Sequence, residues 1–179
     1  IQYFGQSSAL ELFPEQPDAA RAAALFGVPV PNCCVMVRLD AVRAFGLRYD
    51  AALARAEDMG FWADALLNAG LQAVNLQEPL LHYRYTPAAH ARQWHMRALL
   101  GHVFPPLGIR AAGAQAALHA GLIYGGLIEP GAALRWLDTL WQAWTARYGH
   151  DEYMQRHMLV FMARILREAS ADAALADQT

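Results

Sequence analysis

The clearest structural signal in the sequence is a helical repeat of large apolar side chains near its end. They recur at alternating intervals of three and four residues, which places them on one face of a helix. A second stripe of the same kind follows Gly149. We therefore predict two facing helices joined by a short turn. The first stripe is Leu134, Leu137, Trp141, Trp144 and Tyr148, and the second is Met154, Met158, Phe161, Met162 and Ile165.

The remainder of the chain beyond Pro87 is also predicted to be helical. One helix covers about residues 88–103 and breaks at Pro105, and another covers residues 111–124 and ends at Gly125. Trp136 lies off the first apolar stripe, so we expect its side chain to be exposed. The tail from Ser170 is small and polar and is expected to fray.

Before Pro87 the elements are shorter, and the whole pattern predicts an α+β fold that is mostly helical with few strands. Residues 1–17 are expected to be irregular, and residues 33–37 fit either a buried strand or a helical turn. The predicted helices cover residues 17–26, 41–45 with Asp40 as its cap, and 57–68, and the predicted strands cover residues 73–76 and 80–85.

Composition indicates a globular chain of one ordinary domain's length, 179 residues. Hydrophobic residues make up 56%, charged residues 17%, and the net charge is −2, so a nucleic-acid or anionic-membrane surface is not predicted. No apolar run is long enough to span a bilayer. Cys33 and Cys34 stand alone, which excludes a four-cysteine zinc site and indicates a reducing, cytoplasmic setting.

Residues 31–87 contain an ordered series of short motifs. It reads as Pro followed by Val-Met-x-Arg, then Gly-x-x-Tyr-Asp, then Glu-Asp-x-x-Phe-Trp, and finally Tyr-Arg. This order and spacing resemble the second half of the catalytic domain of family 2 glycosyltransferases of the GT-A type. The matching residues are Pro31, Val35, Met36, Arg38, Gly46, Tyr49, Asp50, Glu57, Asp58, Phe61, Trp62, Tyr83 and Arg84.

The resemblance implies that residues 1–87 are the acceptor-side half of a GT-A domain and that residues 88–179 are a helical extension. The family holds Mg²⁺ or Mn²⁺ through an Asp-x-Asp pair in the preceding half, and this chain has no such pair and no glycine-rich phosphate loop. No cofactor is therefore expected in the chain itself. Because the sequence opens at Ile1 without a methionine, we expect a piece of a longer protein that is inactive alone.

Within the resemblance, Asp58 is the catalytic base that removes the proton of the acceptor hydroxyl, and Glu57 orients it or binds the acceptor. Both acids fall in the first turn of a predicted helix, where the dipole and free N–H groups favour the ionised form. The alternative is an ordinary acidic helix start, which the pair would indicate if it stood outside the matched segment.

Four further residues are candidates for substrate binding by resemblance. Trp62, one turn after Asp58, could form the floor under an acceptor sugar or anchor the helix in the core with Leu66. Met36 and Arg38 match the segment that precedes the acceptor site. Arg84, on a predicted strand, could contact the donor diphosphate or Glu57, or stand exposed on the strand face.

Arg38 has two predicted ion-pair partners, Asp50 and Glu57, and a structural pair is as consistent with the sequence as a ligand contact. Many relatives carry a histidine where this chain has Thr86, so no metal ligand is placed there. His82, His90, His95 and His102 lack the spacing of a ligand cluster.

The leading hypothesis is thus a glycosyltransferase fragment. Its parent would transfer a sugar, with inversion, from a nucleotide-sugar donor to a saccharide or lipid-linked acceptor, in the cytoplasm or peripheral to the inner membrane. The alternative is a non-catalytic helical module that binds a partner or forms a homodimer through its C-terminal helices. A third, a hydrolase pairing Glu78 with one of the two acids, is not demanded by any spacing.

Overall fold

The computed structural model of the protein describes residues 1–85, 92–126 and 128–176. The fold is α+β and mostly helical, as the sequence predicts, and it carries a small parallel sheet. The strands are β1 (Gln2–Gly5) and β2 (His82–Tyr85). The helices are α1 (Pro17–Ala23), α2 (Leu39–Ala44), α3 (Glu57–Ala63), α4 (Arg92–Ala98), α5 (Gly113–Tyr124), α6 (Pro130–Tyr148) and α7 (Glu152–Ala176).

The sheet joins the two ends of the first half of the chain. β1 pairs with β2 in parallel, with Gln2 opposite His82 and Tyr3 opposite Tyr83. The expectation that residues 1–17 are irregular is therefore wrong for β1, because its partner lies about eighty residues away and no local alternation announces it. The strand predicted at residues 80–85 is confirmed over β2.

The prediction of another strand, at residues 73–76, is wrong. Asn75 is buried, and its side-chain amide donates hydrogen bonds to the carbonyls of Pro14 at 2.7 Å and Pro29 at 3.0 Å. These bonds tie the segment to two loops and leave it outside the sheet.

The segment from residue 32 to residue 44 is more exposed than its apolar composition suggests. Asn32–Cys34 form a single 3₁₀ turn with both cysteines exposed, and Val35 is already extended. The buried-strand interpretation of residues 33–37 is therefore wrong, and the helical turn is right only for its first two residues. α2 begins at Leu39, and Asp40 lies inside its first turn with its carboxylate accepting from the Ala41 N–H at 2.9 Å.

α3 carries the Glu57-Asp58 pair, and the helical segment extends beyond it. It continues through a π-helical turn, Asp64–Asn68, and ends at Gly70, whose φ of +68° is left-handed. The helix predicted at residues 57–68 is therefore confirmed. α4 continues in the same way through a π-helical turn, Leu99–Val103, followed by the 3₁₀ turn Pro105–Leu107.

The predicted pair of facing helices is confirmed in α6 and α7, which pack along each other. Asp151 starts α7 by accepting the N–H of Tyr153 at 2.8 Å. The expectation that Trp136 is exposed is wrong: it is only 6% exposed, and its indole N–H donates to His119 Nδ1 at 3.1 Å. The helical backbone of α7 continues past Ser170 to Ala176, and the expected fraying of this tail stays a prediction.

One main hydrophobic core runs through most of the molecule. It takes buried side chains from α1 and from α3 through α7, so it includes residues on both sides of the predicted domain boundary at residue 87. That boundary itself lies outside the described residues and stays a prediction. Within the described ranges, no helix combines the length and the apolar character that crossing a membrane requires.

Candidate functional site

The candidate site starts at the first turn of α3, where Glu57 and Asp58 are both half-buried. Asp58 Oδ1 accepts a hydrogen bond from the Met59 N–H at 2.8 Å. Glu57 Oε2 is buried and has no hydrogen-bond partner among the described residues. A buried carboxylate oxygen without a donor is uncommon in folded proteins.

The pKa of Asp58 is raised above its ordinary value, chiefly because burial disfavours its charged form. The charge of Glu57 adds to this shift, while the Met59 N–H and His95 oppose it. The expectation that the helix start makes Asp58 more acidic is therefore wrong in its net direction. A carboxylate with a raised pKa is a stronger proton acceptor once it is ionised.

Two aromatic residues from later helices lie within the electrostatic reach of Asp58. The ring of His95, on α4, stacks on that of Tyr124, on α5, with centroids 4.8 Å apart and planes 16° apart. His95 Nδ1 is buried and lacks a hydrogen-bond partner in the part of the chain that the structure describes. The sequence does not predict that His95 and Tyr124 act on Asp58, because the three residues belong to separate helices that must pack together first.

Both aromatic residues are kept uncharged. Burial lowers the pKa of His95, although the negative charge of Asp58 acts in the opposite direction. Burial and the charge of Asp58 together raise the pKa of Tyr124 to about 12, even though 47% of this residue remains exposed. Asp58 is therefore coupled electrostatically to a neutral imidazole and a neutral phenol. A carboxylate in such surroundings can bind a hydroxyl and remove its proton.

Trp62 belongs to the protein interior and not to an open surface. It is 5% exposed and packs edge-on against Phe61, with ring centroids 5.1 Å apart. Its cluster also contains Val30 and Leu47, whereas Leu66 belongs to the main core. The core-anchor interpretation of Trp62 thus fits the structure, with partners other than Leu66.

The other predicted binding residues have no described contact with Glu57 or Asp58. Arg38 is exposed and pairs with Asp40 at 2.8 Å, so the predicted pairs with Asp50 or Glu57 are wrong. Met36 is 98% exposed. The Arg84 guanidinium lies over the Phe4 ring, 5.4 Å from its centroid, in line with the exposed strand-face interpretation.

Asp50 instead belongs to a second polar cluster, centred on His102 in the turn that follows α4. His102 Nδ1 lies 2.9 Å from Asp64 Oδ2, and its Nε2 lies 3.3 Å from Asp50 Oδ2. Sequence reasoning missed Asp64 altogether. The cluster ties α3 to the helices beyond residue 92.

No metal centre is found in the part of the chain that the structure describes, since no three histidine, cysteine or acidic side chains there are grouped to hold an ion. Thr86 and His90 lie outside the described residues.

No family model matches the chain, and no characterised protein or solved structure is significantly similar to it. An assignment of function therefore depends on the residues and their geometry.

Proposed function

We propose that the chain is the acceptor-side half of a family 2, GT-A type glycosyltransferase. The parent enzyme transfers a sugar from a nucleotide-sugar donor to a saccharide or lipid-linked acceptor with inversion. The observation that carries the proposal is the Glu57-Asp58 pair, which lies within the matched motifs and at the start of a helix. The pKa of Asp58 is raised, and Glu57 has a buried oxygen without a partner among the described residues.

In this proposal Asp58 is the general base. A base works best when its pKa lies near the working pH, and a positioned one contributes about 10²–10⁴-fold in rate. Burial moves the pKa of Asp58 in that direction. Glu57 accepts a hydrogen bond from a hydroxyl of the acceptor through Oε2, which no described protein group satisfies.

The donor-binding function belongs to a part of the parent protein beyond this chain. A divalent ion, Mg²⁺ or Mn²⁺, would be held there with the donor diphosphate, and the isolated chain would be inactive. We place the enzyme in the cytoplasm, either free or peripheral to the inner membrane.

Donor turnover by the parent protein tests this assignment. We expect Asp58→Asn to reduce turnover by about 10²–10⁴-fold while the fold is retained, because the amide cannot accept the proton. Asp40→Asn is a matched control: Asp40 also lies in a first helical turn and accepts the next N–H, but it is exposed. Full turnover by folded Asp58→Asn would refute the base assignment.

A second candidate function is the helical interaction module. It is favoured by an apolar groove of about 360 Å³ between α6 and α7, lined mainly by Leu134, Leu137, Trp141, Met158, Leu159 and Met162. Trp136, the contact expected from the sequence, is buried and cannot serve. Two results together would favour this function over the first. The chain would form a dimer as its concentration rises, and the parent protein would show no donor turnover.

A further inference from the structure

The turn that carries Asp58 contains more unsatisfied polar atoms than a proton-accepting carboxylate needs. Glu57 Oε2 and His95 Nδ1 are both buried, and neither has a hydrogen-bond partner within residues 1–85, 92–126 and 128–176. Leaving a buried polar group unpaired is unfavourable, because the group has lost its hydrogen bonds to water without replacement. One of these atoms belongs to the neighbour of Asp58 in α3, and the other belongs to His95 in α4, which packs on α3. Unpaired buried atoms of this kind indicate a site that a ligand completes.

The chemistry of the two atoms defines what that ligand must supply. The Glu57 oxygen can only accept, so the ligand must donate to it. Neutral His95 has one nitrogen that donates and one that accepts, and a hydroxyl group can serve either. A molecule with adjacent hydroxyls, such as a sugar, meets these requirements, because a hydroxyl both donates and accepts.

We propose that His95 and Tyr124 complete, with Glu57, a saccharide-binding site in which His95 positions a ligand hydroxyl against Asp58. The inference rests on the proposed function, and it makes the helices beyond residue 92 part of the acceptor site. His95 holds the hydroxyl, and the stacked, half-exposed Tyr124 ring provides the flat apolar surface on which a sugar face packs.

The site is held in place before any ligand arrives. Arg164 of α7 donates to the Leu122 carbonyl at 2.8 Å, in the last turn of α5 just before Tyr124. The same guanidinium is fixed by Glu168 at 2.7 Å. Since α4 packs on both α3 and α5, the His95 and Tyr124 rings have little freedom to leave the neighbourhood of Asp58.

The test is donor-independent and uses the chain itself. Three simple sugars serve as probes at millimolar concentration: methyl α-D-glucopyranoside, methyl α-D-mannopyranoside and methyl β-D-galactopyranoside. Saturation-transfer NMR measures binding, and imidazole ¹⁵N spectra follow His95 directly. We expect at least one probe to bind and to shift the His95 Nδ1 resonance, because that nitrogen gains its missing partner.

Variants show whether the two rings carry the binding. His95→Phe keeps an aromatic ring against Tyr124 but removes both nitrogens, and Tyr124→Ala removes the packing surface. Each is expected to weaken binding about tenfold, the loss that corresponds to one hydrogen bond or one packed face. His150→Phe is the control, since His150 is exposed beyond the end of α6.

Several results would overturn the inference: no probe binds, the bound probe leaves the His95 resonances unmoved, or both variants bind as the wild type does. The ¹⁵N measurement needs no substitution, so misfolding of a variant does not remove the test. Failure here with turnover that still depends on Asp58 would leave the proposed function standing. Binding as expected, with turnover indifferent to Asp58→Asn, would refute the base assignment alone.

Discussion

His119 shows how a single buried side chain determines its own protonation state. It is fully enclosed, and its Nε2 lies 2.8 Å from the Leu25 carbonyl while its Nδ1 lies 3.1 Å from the Trp136 indole nitrogen. A carbonyl can only accept and an indole N–H can only donate. The ring must therefore carry its proton on Nε2 and leave Nδ1 bare, and burial holds the pKa of His119 down to about 4.

This arrangement predicts that the protein loses stability in mild acid. The pKa of His119 is about 4 in the folded chain and near its ordinary 6.5 when unfolded, so the unfolded chain takes up the proton first as the pH falls. Between about pH 6.5 and pH 4 the free energy of unfolding should fall by about 3 kcal/mol from this group. Urea denaturation at several pH values in that window measures the decline.

His119→Gln isolates the contribution of His119 from that of other histidines, since burial also lowers the pKa of His95 and His157. The variant should be less stable at neutral pH, and its stability should fall less steeply with acid. If the free energy of unfolding fell equally with pH in the wild type and the variant, His119 would not be the source of the acid sensitivity.

His119 and Trp136 also show which features of a single side chain the sequence does not predict. The position of Trp136 off the apolar stripe of α6 correctly places it on another face of the helix. That the face is covered by α5, with an acceptor nitrogen at the right point, depends on tertiary packing, which no spacing in the sequence contains. The polar partners of Asp58 were missed for the same reason.

At the scale of elements, α3 depends on one close approach. A Cβ on Gly60 would come within 2.6 Å of Leu53 Cδ1 and within 3.4 Å of the His102 ring. Leu53 is buried, and His102 is held between two carboxylates, so neither can easily give way. Gly60 therefore sets how closely α3 approaches Leu53 in the preceding turn and His102 in the turn that follows α4.

We expect Gly60→Ala to lower the free energy of unfolding by about 1–3 kcal/mol, because overpacking outweighs the better helix propensity of alanine, worth about 1 kcal/mol. Gly101→Ala is the matched control: Gly101 is also helical, but no atom lies within 4 Å of its added Cβ. Urea denaturation midpoints compare the two. Equal or greater stability of Gly60→Ala would show that Leu53 yields more readily than its burial suggests.

The elements themselves were predictable to the extent that their signals are local. The apolar stripes of α6 and α7 and the Gly70 stop of α3 are readable from neighbouring residues, and those predictions are confirmed. β1 was missed because its partner is distant. The strand predicted at residues 73–76 is absent because side-chain bonds from Asn75 to two remote carbonyls hold that segment instead.

At the scale of the whole molecule, the helices beyond residue 92 also satisfy the far end of the α3 segment. The last carbonyls of a helix have no partner within it. Here the Leu67 carbonyl accepts from the Tyr148 hydroxyl at 2.7 Å and from Arg147 Nη2 at 3.2 Å. Together with the His102 cluster and the shared core, these contacts bind the two predicted regions into one packing unit.

If the molecule is one cooperative unit, weakening the contact at Leu67 should lower the stability of both regions together. We expect Tyr148→Phe, which removes one hydrogen bond, to lower the opening free energy of the α3 and α6 amides equally, by about 1 kcal/mol, in native-state hydrogen exchange. Tyr153→Phe, at another half-buried tyrosine, is the control and should change both by less than about 0.5 kcal/mol.

A drop confined to one helix would mean that the regions on either side of residue 87 unfold separately, as two domains would. An equal drop would mean that the region before residue 87 depends on the helices after it for its stability.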